Sequence, residues 1–343
     1  MYILSVESTC DETAIAVVRD GREVLADIIS SQADMHALYG GVVPEIASRS
    51  HVEVIYQLAD RAIAAAGITK ADIDAVAVSF APGLIGAVLV GVNFAKSVAS
   101  ALGVPLIPVH HIRGHMAANY LAYPELEPPF LCLAISGGNT IIVDVRDYTD
   151  MRIVGSTRDD AAGEAFDKAA RAMGLSYPGG ISIQNISAEG NDKAFKLPKP
   201  RVEGSPLDFS FSGLKTFVIN LLHNAEQKGT DISIPDLAAS FQRTVVDILC
   251  DKLFAAADEI NEKRIVCAGG VSANKLLRET LEQRCKKSGR ELFIPPLSLC
   301  GDNAAMIAAQ AYYELTSAGG LDAFNNYLPL NACATLDISK KAY

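Results

Sequence analysis

Apolar residues fall in short runs of 4 to 8 separated by polar turns, and these runs alternate with stretches whose apolar positions recur every three or four residues. The first pattern predicts strands at residues 2–6, 14–18, 75–79, 105–109, 130–135, 140–145, 152–155, 264–268 and 291–294. The second predicts helices at about 44–66, 86–102, 114–122, 161–173, 213–226, 234–260, 273–287 and 302–318. Strands alternating with helices imply an α/β protein with largely parallel or mixed sheets.

The pattern repeats itself. YILSVESTCDETAIAVVRD from Tyr2 and FLCLAISGGNTIIVDVRD from Phe130 each run apolar strand, polar or Gly-rich turn, Thr, second apolar strand, Arg-Asp. Later, residues 75–79 lead into Ala81-Pro82-Gly83-Leu84-Ile85-Gly86 and a helix, as residues 264–268 lead into Gly269-Gly270-Val271-Ser272-Ala273-Asn274 and a helix. Such a duplication predicts two similar lobes with a ligand cleft between them. The expected division is 1–108 plus 302–335 for the first lobe and 109–301 for the second, with a Pro- and Lys-rich surface excursion near 190–206. Other joints suggested by Pro and Gly lie at 102–108 and 123–129.

Half of the 343 residues are apolar, more than one core needs. The longest apolar stretch, 84–102, is interrupted by Asn93, Lys96 and Ser97 and is not expected to span a membrane. The N-terminus has no basic region and meets Glu7 early, so it reads as a strand rather than a signal peptide, and the expected location is the cytoplasm. Seven scattered cysteines without a C-x-x-C pair suit reduced thiols. A net charge of -10 argues against a chain that grips nucleic acid unaided; the best local basic strip is Lys193 to Arg201.

Three of the six histidines fall in His110-His111-Ile112-Arg113-Gly114-His115. His111 and His115, four apart on a helix, share a face and can chelate one ion. A zinc-protease helix would carry Glu where Ile112 stands, so that general base is missing. Asp302 is the candidate third ligand, with helix N-cap as its alternative role. The turn Glu7 to Thr13 offers the hydroxyls of Ser8, Thr9 and Thr13 for a phosphate, or the carboxylates of Asp11 and Glu12 for a cation or polar substrate. Ser136-Gly137-Gly138-Asn139-Thr140 is a better phosphate cradle because its glycines allow close backbone approach. The turn from Gly269 to Asn274 opens a helix, a natural site for a phosphate or ribose edge.

These motifs together resemble the tRNA N6-adenosine threonylcarbamoyltransferase family, TsaD, of the ASKHA superfamily of actin-like and sugar-kinase-like ATPases. The resemblance spans almost the whole chain: ESTCDET at Glu7, YGGVVPEIASRSH at Tyr39, APGLIGAVLVG at Ala81, HHIRGH at His110, SGGNT at Ser136, DDAAGEAFDKAAR at Asp159, YPGG at Tyr177, DFSFSGLKT at Asp208, AGGVSAN at Ala268 and GDNAAM at Gly301. It implies transfer of threonylcarbamoyl from threonylcarbamoyl-AMP to N6 of adenosine 37 in tRNAs reading ANN codons, with release of AMP. It also implies a two-lobed ASKHA fold and one divalent metal, Fe2+ or alternatively Zn2+, on His111, His115 and Asp302, with Mg2+ accompanying a bound nucleotide. By the same resemblance Ala134, Ile135, Ser136, Gly137 and Gly138 hold the phosphate and acyl part, and Asp167, Gly180, Gln184 and Asn274 the ribose and adenine. Thr9, Cys10, Asp11 and Glu12 are further cleft candidates, with no covalent nucleophile required. The implied partners are tRNA, a shorter ASKHA paralogue (TsaB) and a small P-loop ATPase (TsaE); the local basic strip makes Lys196, Lys199 and Arg201 the candidate tRNA contacts, and the apolar helices 44–66 and 86–102 are the expected seat of the paralogue.

The sequence departs from the family pattern at Ser8-Thr9, where Thr-Ser is common, at Asn139, where His is common, and after Gly180, where Ile181-Ser182-Ile183-Gln184 replaces a run with Pro and often Asp. Three other readings make distinct predictions. A small-molecule kinase on the same fold would transfer phosphate, but paired imidazoles suit softer ions than Mg2+. A metallopeptidase would cleave protein, and a nucleotide-gated scaffold would survive loss of His111.

Overall fold

The computed structural model describes residues 1–340. In chain order its elements are β1 (Tyr2–Glu7), β2 (Glu12–Arg19), β3 (Glu23–Ser31), α1 (Ala33–Ala37), α2 (Pro44–Ala65), β4 (Ala75–Ala81), α3 (Ile85–Leu102), β5 (Leu106–His110) and α4 (His111–Ala122). There follow β6 (Phe130–Ile135), β7 (Thr140–Val145), β8 (Met151–Ser156), α5 (Ala162–Ala172), α6 (Gly179–Ser187), α7 (Ser212–Lys228) and α8 (Ile234–Ile260). The last are β9 (Arg264–Ala268), α9 (Lys275–Ser288), β10 (Glu291–Phe293) and α10 (Ala305–Ser317).

Two compact units result. One comprises Met1–Pro129, Val145–Arg152 and the chain from Pro295 onward; the other comprises Phe130–Asp144 and Ile153–Ile294. The first unit's sheet has the order β3-β2-β1-β4-β5 and the second's is β8-β7-β6-β9-β10. Numbered from its own start, each sheet is therefore 3-2-1-4-5, and the repeat visible in sequence is a repeat of topology.

The boundary falls after Pro129, at the second of the Pro-bearing joints, rather than after residue 108. The reason is helix packing. α4 belongs to the first unit because Gly114 lets it approach α10: a Cβ there would sit 2.6 Å from Ile307 Cδ1. The return to the first unit likewise begins at Pro295, before residue 302.

The strands of the first sheet alternate as period 2 demands. Leu4, Val6, Ile15, Val17, Val76 and Val78 face a core completed by α2 and α3. Ile3, Ala14, Ala16, Ala75 and Ala77 face the opposite core, with Ala304, Ala305, Ala308 and Ala311 of the last helix and its lead-in. Alanine on both surfaces lets α10 lie close to the sheet. That close seat carries Asp302, just ahead of the helix, to α4. The second unit has one core, built around Phe166, Phe209, Phe211, Phe241 and Leu249.

By length and composition alone α3 is long and apolar enough to cross a membrane. Its face of Ala87, Val88, Gly91, Val92, Ala95 and Ala99 is buried, against β4 and α2, as in a core helix. All seven cysteines are free. Three elements were not expected. β3 is an edge strand with exposed Val24 and Ile29, α1 has five residues, and α6 begins at Gly179-Gly180, where no helix is predicted.

Asp27 of β3 accepts a hydrogen bond from the Ala304 N–H at the start of α10. Burial raises its pKa from 3.8 to about 6 against the opposing pull of the Ala304 and Ala305 amides. The folded state thus holds this proton more tightly than the unfolded chain. Its contribution is most favourable below the unfolded pKa and is lost as pH rises to about 6. Asp27→Asn should remove that loss, so the variant's Tm gains on the parent between pH 4 and 7. Parallel pH profiles would contradict this.

Candidate metal centre and nucleotide cavity

β5 ends at His110 and α4 starts at once, so His111 and His115 lie one turn apart near a helix start. Their rings meet edge to face with centroids 4.6 Å apart. An Asp302 carboxylate oxygen lies 3.1 Å from His115 Nε2 and 3.5 Å from His111 Nε2. One ligand atom from each of the three lies within 4.8 Å of the others. The alternative role for Asp302 falls away: the N-cap residue is Ala304, and the side chain that bonds the first turn of α10 is Asn303, whose Oδ1 accepts from the Met306 N–H.

Both His115 ring nitrogens are buried without a hydrogen-bond partner; the 3.1 Å approach to Asp302 is a close contact with poor alignment. A buried imidazole left this way is what a metal ligand requires. Two imidazoles and one carboxylate form a donor set used for non-haem iron and for zinc.

His111 is oriented from behind. Its Nδ1 lies 2.9 Å from Glu7 Oε2 and 3.2 Å from Thr9 Oγ1, which leaves Nε2 facing Asp302. This carboxylate–histidine relay fixes tautomer and ring plane. Glu7 is wholly buried, and its other oxygen accepts from the Thr9 N–H at 2.6 Å. Glu7 was not among the site residues read from sequence, where it served only as the acid ending an apolar run. The signal was a carboxylate in the last position of an otherwise buried strand.

Burial alone would lower the His111 pKa, but Glu7 and Asp302 outweigh it and hold the imidazolium up to about 9. Asp302, which burial would raise, is drawn down to about 2 by His111 and His115. The proton on His111 occupies the place of a cation. Metal binding must expel it, so affinity should strengthen roughly tenfold per pH unit from 7 until about 9, with one proton released per ion. Calorimetry in buffers of different ionisation enthalpy measures that proton.

The ESTCDET turn is a scaffold for this centre rather than a hydroxyl cradle for phosphate. Ser8 donates to Ala87 O, Thr13 bonds His51, and Thr9 is spent on His111. Asp11 is buried; Glu12 hydrogen-bonds Ser31. The Glu12 pKa is raised to about 9 by burial, then by Asp302 and Asp11. Cys10 is pushed far up by burial and the same two carboxylates, which disfavours the thiolate a nucleophile needs.

The second unit holds a cavity of about 280 Å³, and five of the expected substrate-binding residues line it: Gly137, Asp167, Gly180, Gln184 and Asn274. Gly163 lines it as well and was missed, and Gly270 brings in the 269–274 turn read from sequence as a site for a phosphate or ribose edge. The starts of α5, α6 and α9 converge here, giving backbone N–H groups for an anion. Gly163 lets α5 reach the SGGNT turn, since a Cβ would meet Ser136 O at 2.6 Å. Asp167 accepts from the Gly179 N–H at 2.7 Å and ties the α5 wall to α6. Asn274 is committed to the protein: Oδ1 caps α9 and Nδ2 donates to Gln242. Gln184 accepts from the Lys275 N–H. Ala134 and Ile135 are buried strand residues of the core and do not line the cavity.

Residues 23–309 match the family model described as tRNA N6-adenosine threonylcarbamoyltransferase. The chain belongs to this family. A Clostridium botulinum (strain 657 / Type Ba4) protein of that name is 54% identical over 312 residues, 91% of this chain and 92% of its own length. A Clostridium perfringens protein of the same name is 52% identical over 313 residues, again 91% and 92%. Among solved structures, full-length HypF in its phosphate- and nucleotide-bound form aligns with TM-score 0.62 at 16% identity, over 93% of this chain and 47% of HypF. That likeness concerns the fold, which is of the ASKHA type. The threonylcarbamoyltransferase family membership and the ASKHA fold expected from the motifs are both borne out.

Proposed function

We propose that this chain transfers the threonylcarbamoyl group from threonylcarbamoyl-AMP to N6 of adenosine 37 in tRNA, in the cytoplasm, and that His111, His115 and Asp302 hold the metal it uses. The observation that carries the reading is His115: two unpartnered buried nitrogens beside Asp302, in a chain more than half identical to enzymes of this name. The cavity of the second unit takes the adenylate, with the phosphate on the helix starts near Gly137 and Gly163 and the ribose beside Asp167 and Gln184. In the transfer the N6 amine forms a bond to the carbamoyl carbon, the bond from that carbon to the phosphate oxygen breaks, and AMP departs. The amine proton is released to solvent as AMP departs; Glu12, whose pKa burial, Asp302 and Asp11 raise to about 9, already holds a proton near neutral pH and is not the base. His111, His115 and Asp302 would hold an Fe2+ or Zn2+ ion, which would supply Lewis acidity toward an oxygen of the donor.

The partners follow from surface chemistry. Val52 and Tyr56 of α2 and Ile85 and Leu89 of α3 are exposed apolar side chains. Their helices touch where Gly86 meets Ser48. A TsaB-type paralogue is the occupant proposed for this patch, with a TsaE-type ATPase completing the assembly. For tRNA, Lys196 and Arg201 carry the strip, because Lys199 is paired with Asp247 and Asp251 at 3.0 and 3.5 Å. Reversing both charges should weaken tRNA binding and reduce its salt slope by about 1–2. An unchanged slope removes the strip from the account.

The activity itself is tested by incubating the purified chain, its paralogue and the ATPase with tRNA and threonylcarbamoyl-AMP. Stoichiometric AMP and modified adenosine are expected; AMP release without tRNA modification would refute transfer.

A further inference from the structure

We propose that residues 333–338 form a strap that sets the metal-ligand helix, and that Arg113 is the positioning residue through which it acts. The inference rests on the reading of His111, His115 and Asp302 as metal ligands.

Arg113 lies between the two histidines on α4 and is almost completely buried. Its Nε and Nη2 donate to Ile338 O at 2.9 and 2.6 Å, and its Nη1 donates to Glu314 Oε1 on α10 at 2.7 Å. One guanidinium thus joins the helix bearing two ligands, the helix that follows the third, and the chain beyond residue 325. Gln310 supports the same Glu314 oxygen at 2.9 Å. Burying such a pair costs much of what it returns, so stability alone is a weak reason for it.

The chain from 325 to 340 has no helix or strand, and named bonds fix its course. Lys96 donates to Leu328 O and Leu330 O. The Cys333 N–H donates to Phe80 O at 2.9 Å, and the Gly83 N–H to Ala334 O at 3.2 Å. His110 Nδ1 accepts from Ile112 N–H, so Nε2 carries the hydrogen that reaches Leu336 O at 3.1 Å. The loop held by Phe80 and Gly83 rests on Thr9: Leu84 N–H donates to Thr9 O at 2.8 Å, and a Cβ on Gly83 would lie 2.7 Å from that oxygen. Thr9 in turn contacts His111. The strap therefore touches His111 from two sides, through α4 and through the loop on Thr9, without contributing a ligand.

Two full-length variants test this. Ile338→Lys sets a second cation beside Arg113 and releases the strap. Arg113→Met with Glu314→Gln removes the pair together and leaves no buried charge alone. The readouts are Co2+ affinity with its visible spectrum, and amide exchange of residues 111–122 in the metal-free protein. Both variants should bind Co2+ about tenfold or more weakly, with an altered spectrum. They should exchange α4 amides faster while β6 and β9 stay protected. Unchanged affinity and unchanged α4 exchange in both would overturn the strap. If Ile338→Lys does not fold, the paired variant decides on the same readouts. His111→Ala serves as the control for the ligand assignment; if it still binds Co2+, that assignment fails and α4 exchange alone judges the strap.

Discussion

Asp302→Ala should leave a folded protein that no longer retains metal and transfers threonylcarbamoyl at least ~10³-fold more slowly. The residue is partly buried beside His111 and His115, and the first turn of α10 is bonded by Asn303 rather than by it. Little stability is lost with it; removing its negative charge also leaves the His111 imidazolium with one fewer partner. The expected rate loss follows from Lewis-acid stabilisation worth several kcal/mol, at about 1.4 kcal/mol per factor of ten. Metal analysis and single-turnover transfer on the same preparation check both halves. A variant that keeps its metal would mean that Asp302 is no ligand.

Glu7→Gln is the second large effect, and it separates orientation from ligation. The amide keeps the shape but offers one acceptor oxygen where the carboxylate offers two: with that oxygen on the Thr9 N–H, its NH2 group faces His111 Nδ1, and the charge is gone. Burial would raise the Glu7 pKa, yet His111 holds it below the ordinary carboxylate range, so the pair is ionic in the folded protein. Without the carboxylate, His111 loses the largest of the influences that raise its pKa. Metal affinity should fall about 10- to 100-fold, the usual cost of losing such a partner, while the pH at which His111 is half-protonated also falls. Nuclear magnetic resonance titration of the metal-free variant reads the second effect. If affinity falls and the His111 titration does not move, Glu7 acts by packing alone.

What the sequence disclosed and what it withheld divide along physical lines. Period-2 and period-3.6 patterns located every central strand and the long helices, because buried faces impose those periods. β3 escaped because an edge strand exposes Val24 and Ile29 and blurs its alternation. The unit boundary slipped because a helix's allegiance depends on a distant contact, here Gly114 against Ile307, which no local pattern records. The grouping of His111, His115 and Asp302 was legible from i, i+4 histidines and an acid before a helix. Glu7 was not, since its role exists only once β1 ends beside α4. The hydroxyls of Ser8, Thr9 and Thr13 looked available for a ligand in sequence and are consumed by Ala87, His111 and His51 in the fold.

The central claim is that one metal on His111, His115 and Asp302 is required for transfer to tRNA. Its most direct test strips the chain of metal and then titrates Fe2+ or Zn2+ back while modified adenosine is counted. Transfer should rise in proportion to bound metal and level off at one ion per chain, and the His115→Ala chain should show neither binding nor transfer. Full transfer by the stripped protein, or restoration in the His115→Ala chain, would contradict the account.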